Sequence, residues 1–191
     1  MENLYNILLS EPPKNILTIE SDPAAFSTMK LNRLSNEYIL KNVQSKEGRD
    51  EFIEQGWKTL KKNPKSYRMG LLKNHADGFE EEVWSMFARM GYPIMGKLKS
   101  FGLKYDKSLP EKQIDVFAAD GETTLIVECK SSSIRKRRDL KGDIAQYASI
   151  INELRSAAQK LIPGKQKVAF IFFTNNIIIS EPDQTRLKKA G

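Results

Sequence analysis

The apolar positions of this chain change period several times, and each change marks an element. Phe79, Val83, Met86, Phe87 and Met90 recur at helical spacing and Gly91 closes them, which predicts a helix from Asp77 to Met90. Leu140, Ile144, Tyr147, Ile151, Leu154, Ala158 and Leu161 trace a longer amphipathic helix that ends before Pro163-Gly164. Between the two lies Lys112 to Lys130, where two apolar runs flank Asp120-Gly121 and predict a β-hairpin. Tyr92 to Lys99 reads as a strand before it, and Phe101 to Glu111 as a loop. Val168 to Phe173 is a continuous apolar run, the pattern of a buried strand. A turn at Asn175-Asn176, a last strand at Ile177 to Ile179 and a short helix from Asp183 to Ala190 follow.

The first part of the chain is less periodic. Glu11 to Asn15 predicts a turn, Ile16 to Ile19 a short strand, and Asp22-Pro23 a helix start. Leu34, Tyr38, Ile39 and Val43 suggest a surface helix over Asn32 to Val43. Glu47 to Gln55 predicts a helix stopped by Gly56. Trp57 to Lys62 and Tyr67 to Met69 predict strands around a turn at Asn63 to Ser66. Residues 1–70 read as an arm or small subdomain, and residues 71–191 as the main domain. The order helix, strand, hairpin, helix, strand predicts an α/β sandwich with a central mixed sheet flanked by helices.

Composition narrows the chemistry. The 191 residues carry a net charge of +7, which favours a polyanionic partner. Cys129 is the single cysteine and His75 the single histidine, so an intrachain disulfide, a cysteine-rich zinc site and a multi-histidine metal site are excluded. His75 precedes the first long helix and reads as a turn or cap residue. No basic region followed by an apolar core opens the chain, and no apolar run reaches the roughly 18 residues of a membrane span. The expectation is a cytoplasmic protein without a membrane partner.

The hairpin carries charges that a plain core strand would not want. Side chains alternate along a strand, so Leu125, Val127 and Cys129 share one face while Ile126, Glu128 and Lys130 share the other. Asp115 comes from the neighbouring strand. The same charges would suit a solvated sheet edge. Together, however, two carboxylates beside a lysine suit Mg²⁺, with Mn²⁺ as a substitute, and a lysine there can orient a water for attack on a phosphodiester. Ser131 to Lys141 reads as a polar loop. Within it Arg135, Lys136, Arg137, Arg138 and Lys141 are candidate phosphate contacts. Gln146 is a weak further candidate on the long helix. Trp57, Tyr67 and Trp84 read as packing residues.

Asp115, twelve residues, then Glu128-Cys129-Lys130 resembles the PD-(D/E)xK motif of the restriction-endonuclease-like nucleases. The helix Gly78-Phe79-Glu80-Glu81-Glu82-Val83 is similar to the first core helix of the Mrr-like branch. Gln55-Gly56-Trp57 and Lys112-Gln113-Ile114-Asp115 also resemble the nuclease-like domain of proteins that carry a DGQHR domain. Ile114 stands where the motif's name has proline. The resemblance implies a restriction-endonuclease-like three-layer sandwich acting as a metal-dependent DNA endonuclease, RNA remaining open. It implies catalytic roles for Asp115, Glu128, Lys130 and Glu80. It implies metal ligands at Asp115, Glu128, Glu80 and the main-chain carbonyl of Cys129. An inactive DNA-binding or scaffolding module of the same fold is the alternative. A homodimer and a further C-terminal domain in a longer parent chain are compatible with it.

Overall fold

The computed structural model describes residues 16–18, 23–35, 37–97, 101–104, 110–162 and 167–190. In chain order the elements are β1 (Ile16–Thr18), α1 (Pro23–Ser35), β2 (Tyr38–Val43), α2 (Lys46–Glu54), β3 (Lys58–Asn63), β4 (Ser66–Leu72), α3 (His75–Met90) and β5 (Ile94–Gly96). There follow β6 (Gly102–Leu103), β7 (Lys112–Gln113), β8 (Val116–Ala119), β9 (Thr123–Arg137), α4 (Lys141–Leu161), β10 (Lys167–Ile178) and α5 (Glu181–Ala190). The architecture is mixed α/β.

The β8–β9 hairpin is the spine of the main sheet. Its turn is set by Asp120, whose Oδ1 accepts the N–H groups of Glu122 at 2.8 Å and Thr123 at 2.7 Å. A short acidic side chain that folds back onto its own turn is the reason Asp-Gly marks hairpins. The sheet order is β1-β5-β8-β9-β10. β9 and β10 run parallel, with α4 as the crossover between them, and the other neighbours are antiparallel. Each face of the sheet buries its own core. Ile126 and Phe117 pack with Tyr147, Leu154 and Ala158 of α4. Leu125, Val127 and Cys129 pack with Val83, Trp84 and Phe87 of α3 and Phe26 of α1. The alternation read from β9 thus divides its side chains between two helical layers.

α3 is fixed at both ends. Asn74 Oδ1 accepts the N–H of Asp77 at 2.8 Å, and Gly91 turns out of the helix at φ 95°, a conformation that glycine adopts at no cost. His75 is the first helical residue and exposed; Asn74, not His75, is the cap. Trp84 is buried and its indole N–H donates to the Gly96 carbonyl at 2.9 Å, tying the helix to β5.

Several local expectations are corrected. The helix placed over Asn32 to Val43 divides: α1 stops at Ser35, and Tyr38–Val43 is a strand paired with β4 over its whole length. The ladder with β4 outweighs a weak helical period that rested on four residues. The polar loop placed over Ser131 to Lys141 is mostly strand, because β9 runs on to Arg137, where Lys136 and Arg137 pair with Ile177 and Ile178. That extension is polar on both faces except for the exposed Ile134, so it carries no period-2 signal. Asn175-Asn176 is not a turn between strands. It is an irregularity inside β10, with Asn176 at φ 58° and its side-chain amide donating to the Ser132 carbonyl at 3.1 Å. Val168 to Phe173 is half-buried, not buried, since β10 ends the sheet. Among the described residues between Tyr92 and Lys99 the strand is Ile94–Gly96, and two residues of the expected loop form β6. The turn at Glu11 to Asn15 and Pro163-Gly164 lie outside the described residues.

Residues 38–72 form their own three-stranded antiparallel sheet, in the order β2-β4-β3, with α2 packed on one face. β1 and α1, although earlier in the chain, join the main sheet and its core.

Replacing Trp84 by Phe keeps most of the buried area and removes the indole donor. The expected loss is about 1–3 kcal/mol, read from urea unfolding midpoints. An unchanged midpoint would show that this hydrogen bond does not anchor α3.

Candidate functional site

Asp115 sits just before β8, between the fully buried Ile114 and Val116. The last described pair of the hairpin is Val116 with Val127, so the next step brings Asp115 opposite Glu128. Like charges directly opposite one another on a sheet oppose folding. The Asp115 carboxylate is held there by the backbone: its Oδ2 accepts the Cys129 N–H at 2.7 Å.

Glu128 is buried, at 8% exposure, on the α4 side of the sheet. Its Oε2 accepts the hydroxyl of Tyr147, and its Oε1 meets Lys130 Nζ at 2.5 Å. Lys130 Nζ also reaches Asp143 Oδ1 at 3.1 Å, and Asp143 Oδ2 lies 3.5 Å from Arg138. Lys112 completes the surroundings, with its ammonium 4.8 Å from the centre of the Tyr147 ring. The cluster therefore joins β8, β9 and α4. From Glu128 out to Arg138 it alternates carboxylates with cations.

The electrostatics follow from that packing. Burial pushes the Asp115 carboxyl up from the ordinary 3.8 to about 6, and the Glu128 charge adds to the effect. The Cys129 N–H, Lys130 and Lys112 oppose it. Burial raises the Tyr147 hydroxyl, and the neighbouring Glu128 carboxylate raises it further, so the phenol stays a donor. Burial lowers the Lys130 ammonium, but the Glu128 and Asp143 carboxylates together more than offset this and its pKa lies above the lysine norm. Lys130 is therefore a charged donor at neutral pH. Burial raises the Cys129 thiol, with Asp115 and Glu80 contributing. That thiol faces the α3 core, so only the backbone of Cys129 is turned to the site.

The structure brings Asp115, Glu128 and Lys130 together at one end of the hairpin. Glu80 is half-buried on α3, which packs on the opposite face of the sheet, and it comes near enough to Cys129 for its charge to act on the thiol. It stands beside the cluster. Among the described residues no three histidine, cysteine, aspartate or glutamate side chains are arranged to hold a metal ion. Arg135, Lys136, Arg137 and Lys141 are all exposed and continue from the cluster along the end of β9 and the start of α4, while Arg138 is bound to it through Asp143. Gln146 is exposed and outside the cluster. Tyr147 and Asp143 are the residues that sequence reasoning missed. Tyr147 is part of the apolar stripe of α4, and Asp143 lies in that helix's first turn, where an acid is common. Their spacing of four residues, one helical turn, was the available signal.

No protein-family model, no curated protein and no solved structure matches the chain.

The raised pKa of Asp115 has a definite sign. The folded state holds the proton more tightly than the unfolded state, so this group favours folding fully below about pH 4 and progressively less as pH rises through about 6. Asp115→Asn keeps an acceptor for the Cys129 N–H and removes the charge. Relative to wild type, the variant should gain about 1–3 kcal/mol between pH 4 and pH 7 in urea melts, since a tenfold tighter hold on the proton is worth about 1.4 kcal/mol. A difference that does not vary with pH would refute the burial argument.

Proposed function

We propose that this chain is a metal-dependent DNA endonuclease domain with a restriction-endonuclease-like core. The observation that carries this reading is the Asp115–Glu128 pair. Two carboxylates stand opposite each other at the end of a buried hairpin, and burial together with the Glu128 charge raises Asp115 to about 6. At neutral pH such an arrangement works against folding, and it is the kind of perturbed charge pair that marks sites of function. The elements α3, β5, β8, β9, α4 and β10, with β10 parallel to β9 and the short β6 and β7 outside the main sheet, support the fold reading, since they give the helix, strand, hairpin, helix and strand read from the sequence.

The donor set fits a hard divalent cation. Asp115 and Glu128 offer carboxylate oxygens, and no described residue hydrogen-bonds to Asp115 Oδ1. Asp115 and Glu128 would hold the ion, joined by the Cys129 carbonyl, with Glu80 in support. A bound Mg²⁺ or Mn²⁺ would supply Lewis-acid polarisation of the phosphodiester and offset the charge that builds on it. The chain's own residues do the rest. Lys130, kept protonated and fixed between Glu128 and Asp143, presents a positive donor toward the phosphate and its attacking water. Tyr147 fixes Glu128 from the other oxygen. Arg135, Lys136, Arg137, Arg138 and Lys141 extend the positive surface to the DNA backbone.

One observation favours the second reading, a binding module that does not cleave. Both oxygens of Glu128 already have partners within the protein, which leaves the cluster internally neutralised. Cleavage assays on supercoiled and linear DNA with Mg²⁺ or Mn²⁺ separate the two. The endonuclease reading expects metal-dependent cutting, reduced about 100-fold or more by Asp115→Asn and by Lys130→Met. It also expects Mg²⁺ to raise the melting temperature of wild type and not of Asp115→Asn. Equal cutting by all three proteins, or none with any divalent ion, would overturn it.

A further inference from the structure

The small sheet of residues 38–72 has one covered face and one open face. On the covered face α2 packs, with Arg49 5.1 Å from the Tyr67 ring and Lys41 4.5 Å from the Phe52 ring. The pairing register fixes what the other face presents. Arg68 on the central strand β4 pairs with Asn42 on β2 and with Lys61 on β3, so the three lie side by side across the sheet. They line an open groove of about 560 Å³ together with Tyr38 and Asn63. At its end the groove meets Lys73 and Glu81, an ion pair of which both side chains are largely buried. That lysine is neutralised. Among the described residues Arg68 and Lys61 make no ion pair, and both are exposed.

We infer that this groove binds the phosphodiester backbone of DNA, as a second contact surface apart from the basic end of β9. Adjacent strands lie roughly 5 Å apart. Arg68 and Lys61 therefore form a short cationic row on long side chains, and the exposed Asn42 amide beside them is a neutral donor that suits phosphate oxygens. A net charge of +7 favours the same polyanion. The groove also leads toward the carboxylate cluster. Glu81, at its end, directly follows Glu80, whose charge reaches Cys129. One turn of α3 thus borders both the groove and the candidate site, and a strand laid along the groove arrives at that turn. The inference rests on DNA being the partner and is independent of cleavage.

The test is fluorescence anisotropy of the full chain with a labelled DNA duplex, and in parallel a single strand, without divalent metal and across a salt series. Lys61→Gln with Arg68→Gln is compared with Lys160→Gln and Lys188→Gln, which removes the same charge from exposed positions on α4 and α5. The groove variant should bind about tenfold or more weakly and lose about two from the salt slope, while the control pair changes far less. Equal losses in the two variants would overturn the inference, as would a wild type that binds no DNA. If melting shows the double variant to be unfolded, Lys61→Gln alone replaces it, with a slope loss of about one expected and an unchanged slope counting against the groove. Groove-dependent binding without cleavage would keep this inference and remove the endonuclease reading. Cleavage with binding indifferent to Lys61 and Arg68 would do the reverse.

Discussion

The Cys129 N–H holding Asp115 is the contact on which the candidate site depends. Without it a carboxylate burdened by burial and by Glu128 would turn to solvent. With it, the end of the hairpin becomes a fixed point at which β8, β9 and α4 meet. The backbone supplies this donor, so among substitutions at Cys129 only proline removes it directly. The side chain is left to fill the core on the α3 side. One residue thus serves the two faces of the sheet with different atoms.

Around that point the charges are arranged in sequence. Glu128 lies between Lys130 and Tyr147, Lys130 between Glu128 and Asp143, and Asp143 between Lys130 and Arg138. A buried ionic network is costly unless each member is satisfied, and this one is satisfied mainly by α4. The long helix therefore has two roles. Its apolar stripe covers the sheet through Tyr147, Leu154 and Ala158, and its first two turns complete the polar cluster. A displacement of α4 that left the core only slightly altered would leave Lys130 and Glu128 with poorer partners.

The main sheet was legible in the sequence wherever burial imposed a period. The hairpin, α3 and α4 follow directly from alternating or helical apolar positions, and Asp115, Glu128 and Lys130 stood out because they break that pattern. What stayed hidden lacked a period or had two uses. The end of β9 is polar on both faces except for Ile134, so nothing local distinguishes it from a loop. Tyr38 to Val43 becomes a strand because β4 is available to pair with it. Tyr147 is both apolar filler and hydroxyl donor, and only the fold reveals the second use. The contribution of β1 and α1 to the main core was equally unreadable, since it depends on contacts with β5 and Trp84 far along the chain.

The irregularity at Asn176 has a consequence for the whole β9–β10 pair. A parallel pair joined by a long crossover has no tight turn to set its alignment. Ala169, Ile171 and Phe173 face the α3 core, while Val168, Phe170 and Phe172 face α4. Sliding β10 by one residue would exchange these two sets between layers of different shape. The left-handed Asn176, tied to the Ser132 carbonyl, fits in one alignment only. It acts as a notch that indexes the crossover strand and keeps the aromatic side chains of β10 on their proper sides.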